Sequence, residues 1–218
     1  MARDAESTRR RILSVALSLF RERGYAKTTM RAIAKEAGLS LGAAYHHFEG
    51  KQDIVYAYYA QQQEAHDEAA AEALDGGQSL RERLGHVLHS ALDVRGVDRP
   101  LMRELAPLVV GPDDVANAFS DRTASVRERS LALYRRALDD PSVPEDLREV
   151  AALAFWALQM GVLLYFAHDE SPRQAKTRAL VDGALDLSAM VLGMLSTPPF
   201  SPVRAQLRKV LADADLLP

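Results

Sequence analysis

Every apolar stripe in this chain recurs at three- and four-residue spacing, and no run alternates strictly between apolar and polar residues. That excludes a half-buried sheet and leaves helices as the only regular structure predicted. The stops are as plain as the stripes. Ile12, Leu13, Ala16, Leu17 and Phe20 line one helical face, and Gly24 can end that helix as a left-handed cap. The residues ahead of this stripe read as a flexible arm. Thr29 can cap a short second helix carrying Met30, Ile33, Ala34 and Ala37, which Gly38 closes. Ser40 can cap a third, from Leu41 to about Phe48. Glu49-Gly50 breaks the chain before a long helix from about Lys51 to Leu74, which would span roughly 36 Å.

The linker Asp75–Ser79 follows, and Ser79 with Glu82 spells a capping box ahead of the stripe Leu80, Leu84, Val87, Leu88 and Ala91. Pro100, Pro112 and Pro144 sit where first-turn prolines open helices. The helix after Pro144 runs to about His168, the next from about Arg173 to Leu195. A last one starts at Ser201-Pro202, with Val203, Leu207, Val210 and Leu211 on one face. The fold class is all-α: a three-helix head over about residues 6–66, joined by the long helix to a helical body over 67–218. The long helix is the only one expected to join the two.

Charge is distributed unevenly along this order. Net charge is −3, yet residues 1–60 hold 10 Lys/Arg against 6 Asp/Glu, leaving the remainder at 17 against 24. A basic head on an acidic body suits a chain that meets phosphate at one end. There are no cysteines, which excludes disulfides and thiolate metal sites and fits a cytoplasmic location. No signal peptide is read at the N-terminus. The stretch Ala151–Ala167 is apolar but only 17 residues long and is interrupted by Gln159 and Gly161, so it reads as a buried helix and no membrane partner is expected. No nucleophile–base pair, glycine-rich phosphate loop or H-E-x-x-H pattern is present, and the expected class is not an enzyme.

The helix pair around "AGLS" has helix-turn-helix form: small Ala34 and Ala37 let the helices cross closely, and Gly38 permits a sharp exit. From Thr28 to Val55, "TTMRAIAKEAGLSLGAAYHHFEGKQDIV" resembles the DNA-binding motif of the tetracycline-repressor (TetR) family of bacterial regulators. The likeness covers residues 8–60 and rests on the ordered set Phe20, Gly24, Tyr25, Thr28, Thr29, Ile33, Ala34, Gly38, Ser40, Gly42, Tyr45, Phe48 and Lys51. It implies an interface to double-stranded operator DNA made by Thr28, Thr29, Arg31, Ser40, Leu41, Gly42, Ala43, Tyr45, His46 and Lys51. Thr29, Tyr45 and Lys51 would serve phosphates. Ser40, Leu41, Ala43 and His46 would face the groove, with His47 and Phe48 mainly packed. Leu41 and Ala43 depart from the polar residues common in the family, which shifts base readout toward thymine methyls and DNA shape. Arg9, Arg10 and Arg11 are left between a solvated face and a phosphate contact.

For the body, the resemblance implies a homodimer and a small-molecule effector of unknown identity. Candidate lining residues are Met102, Phe119, Tyr134, Phe155, Trp156 and Met160, any of which could equally fill a core. No cofactor and no metal is implied: adjacent His46 and His47 project about 100° apart on a helix. The function expected is a ligand-responsive repressor, the alternative a ligand-independent or activating DNA-binding regulator.

Overall fold

The computed structural model of the chain describes residues 2–74, 78–111 and 117–217. Among the described residues ten α-helices run in order: α1 (Ala2–Arg23), α2 (Met30–Glu36), α3 (Leu41–His47), α4 (Lys51–Leu74), α5 (Leu80–Gly96), α6 (Arg99–Val110), α7 (Ala124–Ala137), α8 (Glu145–His168), α9 (Ala175–Leu195) and α10 (Ser201–Asp213). No strand occurs among the described residues. The linker residues 75–77 and the helix start expected at Pro112 lie outside them.

Two differences from the sequence reading concern helix starts. α1 begins at Ala2, so the arm expected ahead of the stripe is helical. Asp4 in its first turn suits the helix dipole, and Glu6 pairs with Arg10 one turn on. Pro144 stands just before α8 as its cap, at φ −55° and ψ 141°, not within the first turn.

The chain forms two compact units. The first comprises residues up to Glu64 together with Asp98–Arg127, and the second Ala65–Val97 together with Glu128 onward. α4 is therefore not the only helix shared between them: α7 begins in the first and ends in the second.

The first unit is built on Ile12, Ala16, Phe20, Ile33, Ala34, Ala44, Phe48, Ile54 and Val55, all essentially buried. Leu101 and Leu105 of α6 complete this core. α6 is tied to α1 by the Arg21–Asp98 ion pair and to the following turn by Tyr25 N–H, which donates to Glu104 Oε1 at 2.6 Å. A 3₁₀ turn before α7 holds the start of α4, where Arg122 pairs with Asp53.

In the second unit α8 is the central helix and buries Leu147, Val150, Phe155, Trp156, Val162 and Phe166. It is long and apolar enough to cross a membrane, but half of its apolar window is buried inside the fold. A polar chain runs through this core. Tyr134 Oη donates to Gln159 Oε1 at 2.7 Å, Gln159 Nε2 donates to Ser130 Oγ at 3.3 Å, and the Tyr134 ring stacks on Phe155. His66 of α4 is fully buried, its Nε2–H given to Val87 O at 2.9 Å. Asp169 caps the start of α9, accepting from the Ser171 amide and from both the amide and hydroxyl of Thr177. These bonds hold its carboxyl well below the usual carboxylate range. Arg204 of α10 is buried, pairing with Asp146 at the start of α8 and donating to Leu195 O at the end of α9. The stripe Val203, Leu207 and Val210 is left exposed.

Candidate nucleic-acid interface

The turn between α2 and α3 is fixed by backbone alone. Gly38 takes φ 68°, its N–H donates to Lys35 O at 3.1 Å, and Leu39 N–H donates to Ala34 O at 2.8 Å. This is a Schellman closure, and only glycine adopts that φ without strain. Ser40 then opens α3, its Oγ accepting from Ala43 N–H at 3.1 Å. Thr29 does the same for α2, accepting from Ala32 N–H at 3.2 Å. α3 buries Ala44, and Phe48 just past its end, against the core. The opposite side is left open: Ser40, Gly42, Tyr45 and His46 are exposed, with Leu41 and Ala43 half-buried beside them. Tyr45 is 48% exposed, a large value for an aromatic residue in the middle of a packed helix pair.

The remaining expected contact residues divide. Thr29 and Arg31 are exposed at the start of α2. Thr28 lies beneath the surface at 1% exposure, its hydroxyl donating to Gly24 O at 2.9 Å, so it pins the turn after α1. Lys51 is half-buried. Its Nζ donates to Tyr25 O at 2.6 Å and sits 4.2 Å above the Tyr25 ring centre, and burial lowers its pKa. An ammonium carries three N–H donors, so two remain for a phosphate. Arg9, left between two roles by the sequence, has a third: it donates to His47 O at 2.7 Å and stacks 4.1 Å over Phe48, supporting the end of α3. No sequence signal pointed to that contact, which spans 38 residues. Glu104, which holds the amide of the same Tyr25 whose carbonyl holds Lys51, has no signature in the sequence either.

The effector candidates are not gathered in one unit. Met102 and Phe119 belong to the first, with Phe119 63% exposed, while Tyr134, Phe155, Trp156 and Met160 belong to the second. A cleft of about 120 Å³ in the second unit is lined by residues of α5, the Ser142-Val143 loop and α9, and by none of these six.

Two short helices around a glycine turn, one with a solvent-facing surface of small, aromatic and imidazole side chains, make this chain a helix-turn-helix DNA-binding regulator. Residues 12–58 match the family described as bacterial regulatory proteins, tetR family, and residues 110–208 match the tetracyclin repressor-like C-terminal domain. The chain belongs to the TetR family of transcriptional regulators. Among curated relatives it is similar to the HTH-type transcriptional regulator UidR of Escherichia coli K12, at 25% identity over 193 residues, covering 86% of this chain and 98% of that protein. Among solved structures it resembles a TetR-family regulator from Syntrophomonas wolfei, with a TM-score of 0.67 and 19% identity over 85% of this chain and 96% of that one. It also resembles the Thermus thermophilus repressor FadR, solved in complex with lauroyl-CoA, with a TM-score of 0.57 and 22% identity over 81% of this chain and 92% of that one.

Proposed function

We propose that this regulator is a cytoplasmic, ligand-responsive repressor that binds a two-fold operator as a homodimer and releases it when a small, largely apolar effector enters the body. The observation that carries the DNA contact is the open face of α3 with Thr29, Arg31 and Lys51 around it. Tyr45 Oη and the two remaining Lys51 donors serve phosphates; Leu41, Gly42, Ala43 and His46 meet the groove. A pool of random duplexes enriched on the protein, followed by anisotropy titration, tests this. Selection of no site refutes it.

The dimer reading rests on two unpartnered helix faces. α8 exposes Ala154, Ala157, Gly161 and Tyr165; α9 exposes Leu180, Leu187, Met190, Val191 and Met194, with Gly183 and Ala184 between them. An alanine at Gly161 or Gly183 would meet open space, although each glycine costs about 1 kcal/mol inside a helix relative to alanine. Close crossing by the same helices of a second copy, as a four-helix bundle, accounts for both the apolar stripe and the glycines. Two-fold symmetry then sets the α3 helices one DNA turn apart, about 34–36 Å.

For the effector, Tyr134, Phe155, Trp156 and Met160 of the second unit supply apolar wall with the Tyr134–Gln159–Ser130 chain as its polar element. The lauroyl-CoA bound by the Thermus protein supports an acyl chain as the first ligand to try. Quenching of Trp156, the only tryptophan, by acyl thioesters should accompany loss of operator affinity. Binding without that loss refutes the coupling, because a ligand shifts an equilibrium only by its differential affinity for the two states.

A further inference from the structure

Several of the described glycines answer to the chain itself. Gly24 and Gly38 have positive φ. At Gly85 an added Cβ would already touch Leu185 Cδ1 at 3.4 Å, and at Gly96 the Phe166 ring at 3.4 Å. Gly42 has no such reason; Gly161, Gly183 and Gly193 share that freedom but lie on α8 and α9, away from α3. The φ of Gly42 is not in the left-handed region, and a Cβ built on it meets nothing within 4 Å. It is exposed, the second residue of a seven-residue helix, where almost any other residue except proline would make the helix more stable. The fold gains nothing from a glycine at this position, yet it lies in the middle of the surface described above.

We propose that Gly42 is a specificity-determining position: its bare backbone is the seat that lets α3 lie in the major groove at a depth that any side chain at this position prevents. The inference rests on the reading of α3 as the recognition helix. Residues four apart share a helix face, so Gly42 and His46 present to the same side, and His46 is exposed. The neighbours in the first turn, Leu41 and Ala43, carry no hydrogen-bonding group. Ser40 Oγ already accepts from Ala43 N–H. A face with so few and such short polar groups can distinguish base edges only at close range, through thymine methyls and through the His46 ring. A methyl group at 42 lifts that face and withdraws His46 from the bases. The phosphate contacts, made from Tyr45, Lys51 and the start of α2, are set by other parts of the surface and survive.

The test compares wild type with Gly42→Ala and Gly42→Ser on the duplex that wild type enriches from a random pool and on a scrambled duplex of equal length. Thermal unfolding is measured in parallel. Both variants should unfold at the wild-type temperature or above and bind the scrambled duplex within twofold of wild type. They should lose at least fivefold in affinity for the enriched duplex, with an unchanged salt slope. A loss under fivefold overturns the proposal. So does a variant that unfolds several degrees earlier, since the glycine then serves the fold. A wild-type protein that enriches no duplex overturns the DNA-binding reading beneath it, a result distinguishable from either.

Discussion

His66 makes folding stability depend on pH in a window that few other groups share. The ring is fully buried on α4, and its Nε2–H is committed to Val87 O. Its Nδ1 is buried with no hydrogen-bond partner, so the neutral tautomer is fixed and a proton added at Nδ1 finds no acceptor. Burial pushes the pKa from 6.5 down to about 4, with a smaller push from the Arg95 charge, against weaker pulls from the hydrogen bond to Val87 O and from Asp67. The folded chain therefore binds fewer protons than the unfolded chain between these values. Stability is fully present above pH 6.5 and falls as pH drops toward 4, at up to about 1.4 kcal/mol per unit, roughly 3 kcal/mol in all. Urea unfolding at pH 7.5 and 4.5, at one fixed protein concentration, measures it. The comparison is His66→Gln, which keeps an amide donor for Val87 O and cannot take the proton. Wild type should lose roughly 2–3 kcal/mol more than the variant across that interval. Equal losses refute the reasoning, whatever the variant's stability at neutral pH.

Four other variants have outcomes set by the contacts described above. Tyr45→Phe should weaken binding to all duplexes alike without moving the unfolding temperature, because its ring is exposed; Lys51→Ala should weaken binding, lower the salt slope by about 1 and also destabilise the head, because its Nζ holds Tyr25 O. Leu187→Arg, at 62% exposure on the α9 stripe, should give a folded monomer in sedimentation, and a dimer of unchanged strength refutes the placement of the interface. Tyr134→Phe should cost about 1–3 kcal/mol in urea unfolding, because Gln159 Oε1 is left buried without its donor.

How far the sequence carried depends on the range of the force involved. Ser79 and Glu82, Thr29, Ser40 and Gly38 act on backbone groups within a few residues, and each cap or turn they spell is present. The start of α4 at Lys51 follows Glu49-Gly50 for the same reason. Thr28 and Thr29 look alike in sequence, but the turn after α1 folds one hydroxyl back onto Gly24 and leaves the other in solvent. Nothing local in the sequence marks the start of α7 at Ala124, since its cap is a 3₁₀ turn built on Ser120 and its apolar residues are sparse. The contacts that shape the interface from behind, Arg9 to His47 and Glu104 to Tyr25, join residues 38 and 79 apart and have no local signature. The apolar residues chosen for an effector wall show the same limit: large side chains mark a core or a pocket equally well, and only their placement divides Met102 and Phe119 from the other four.

Leu101 and Leu105 give the reading head a debt to a distant stretch of chain. Both are buried in the core formed by α1 to α4, and each leucine lost from such a core costs about 2–5 kcal/mol. A hybrid regulator spliced just after residue 66, joining this head to another protein's sensor, would inherit a hole where α6 belongs and would lose the Asp98 and Glu104 partners of Arg21 and Tyr25. The transplantable module is discontinuous. Swapping operator preference between such regulators means carrying residues 98–127 along with the first 64, or exchanging only the exposed positions of α3 and leaving the architecture in place.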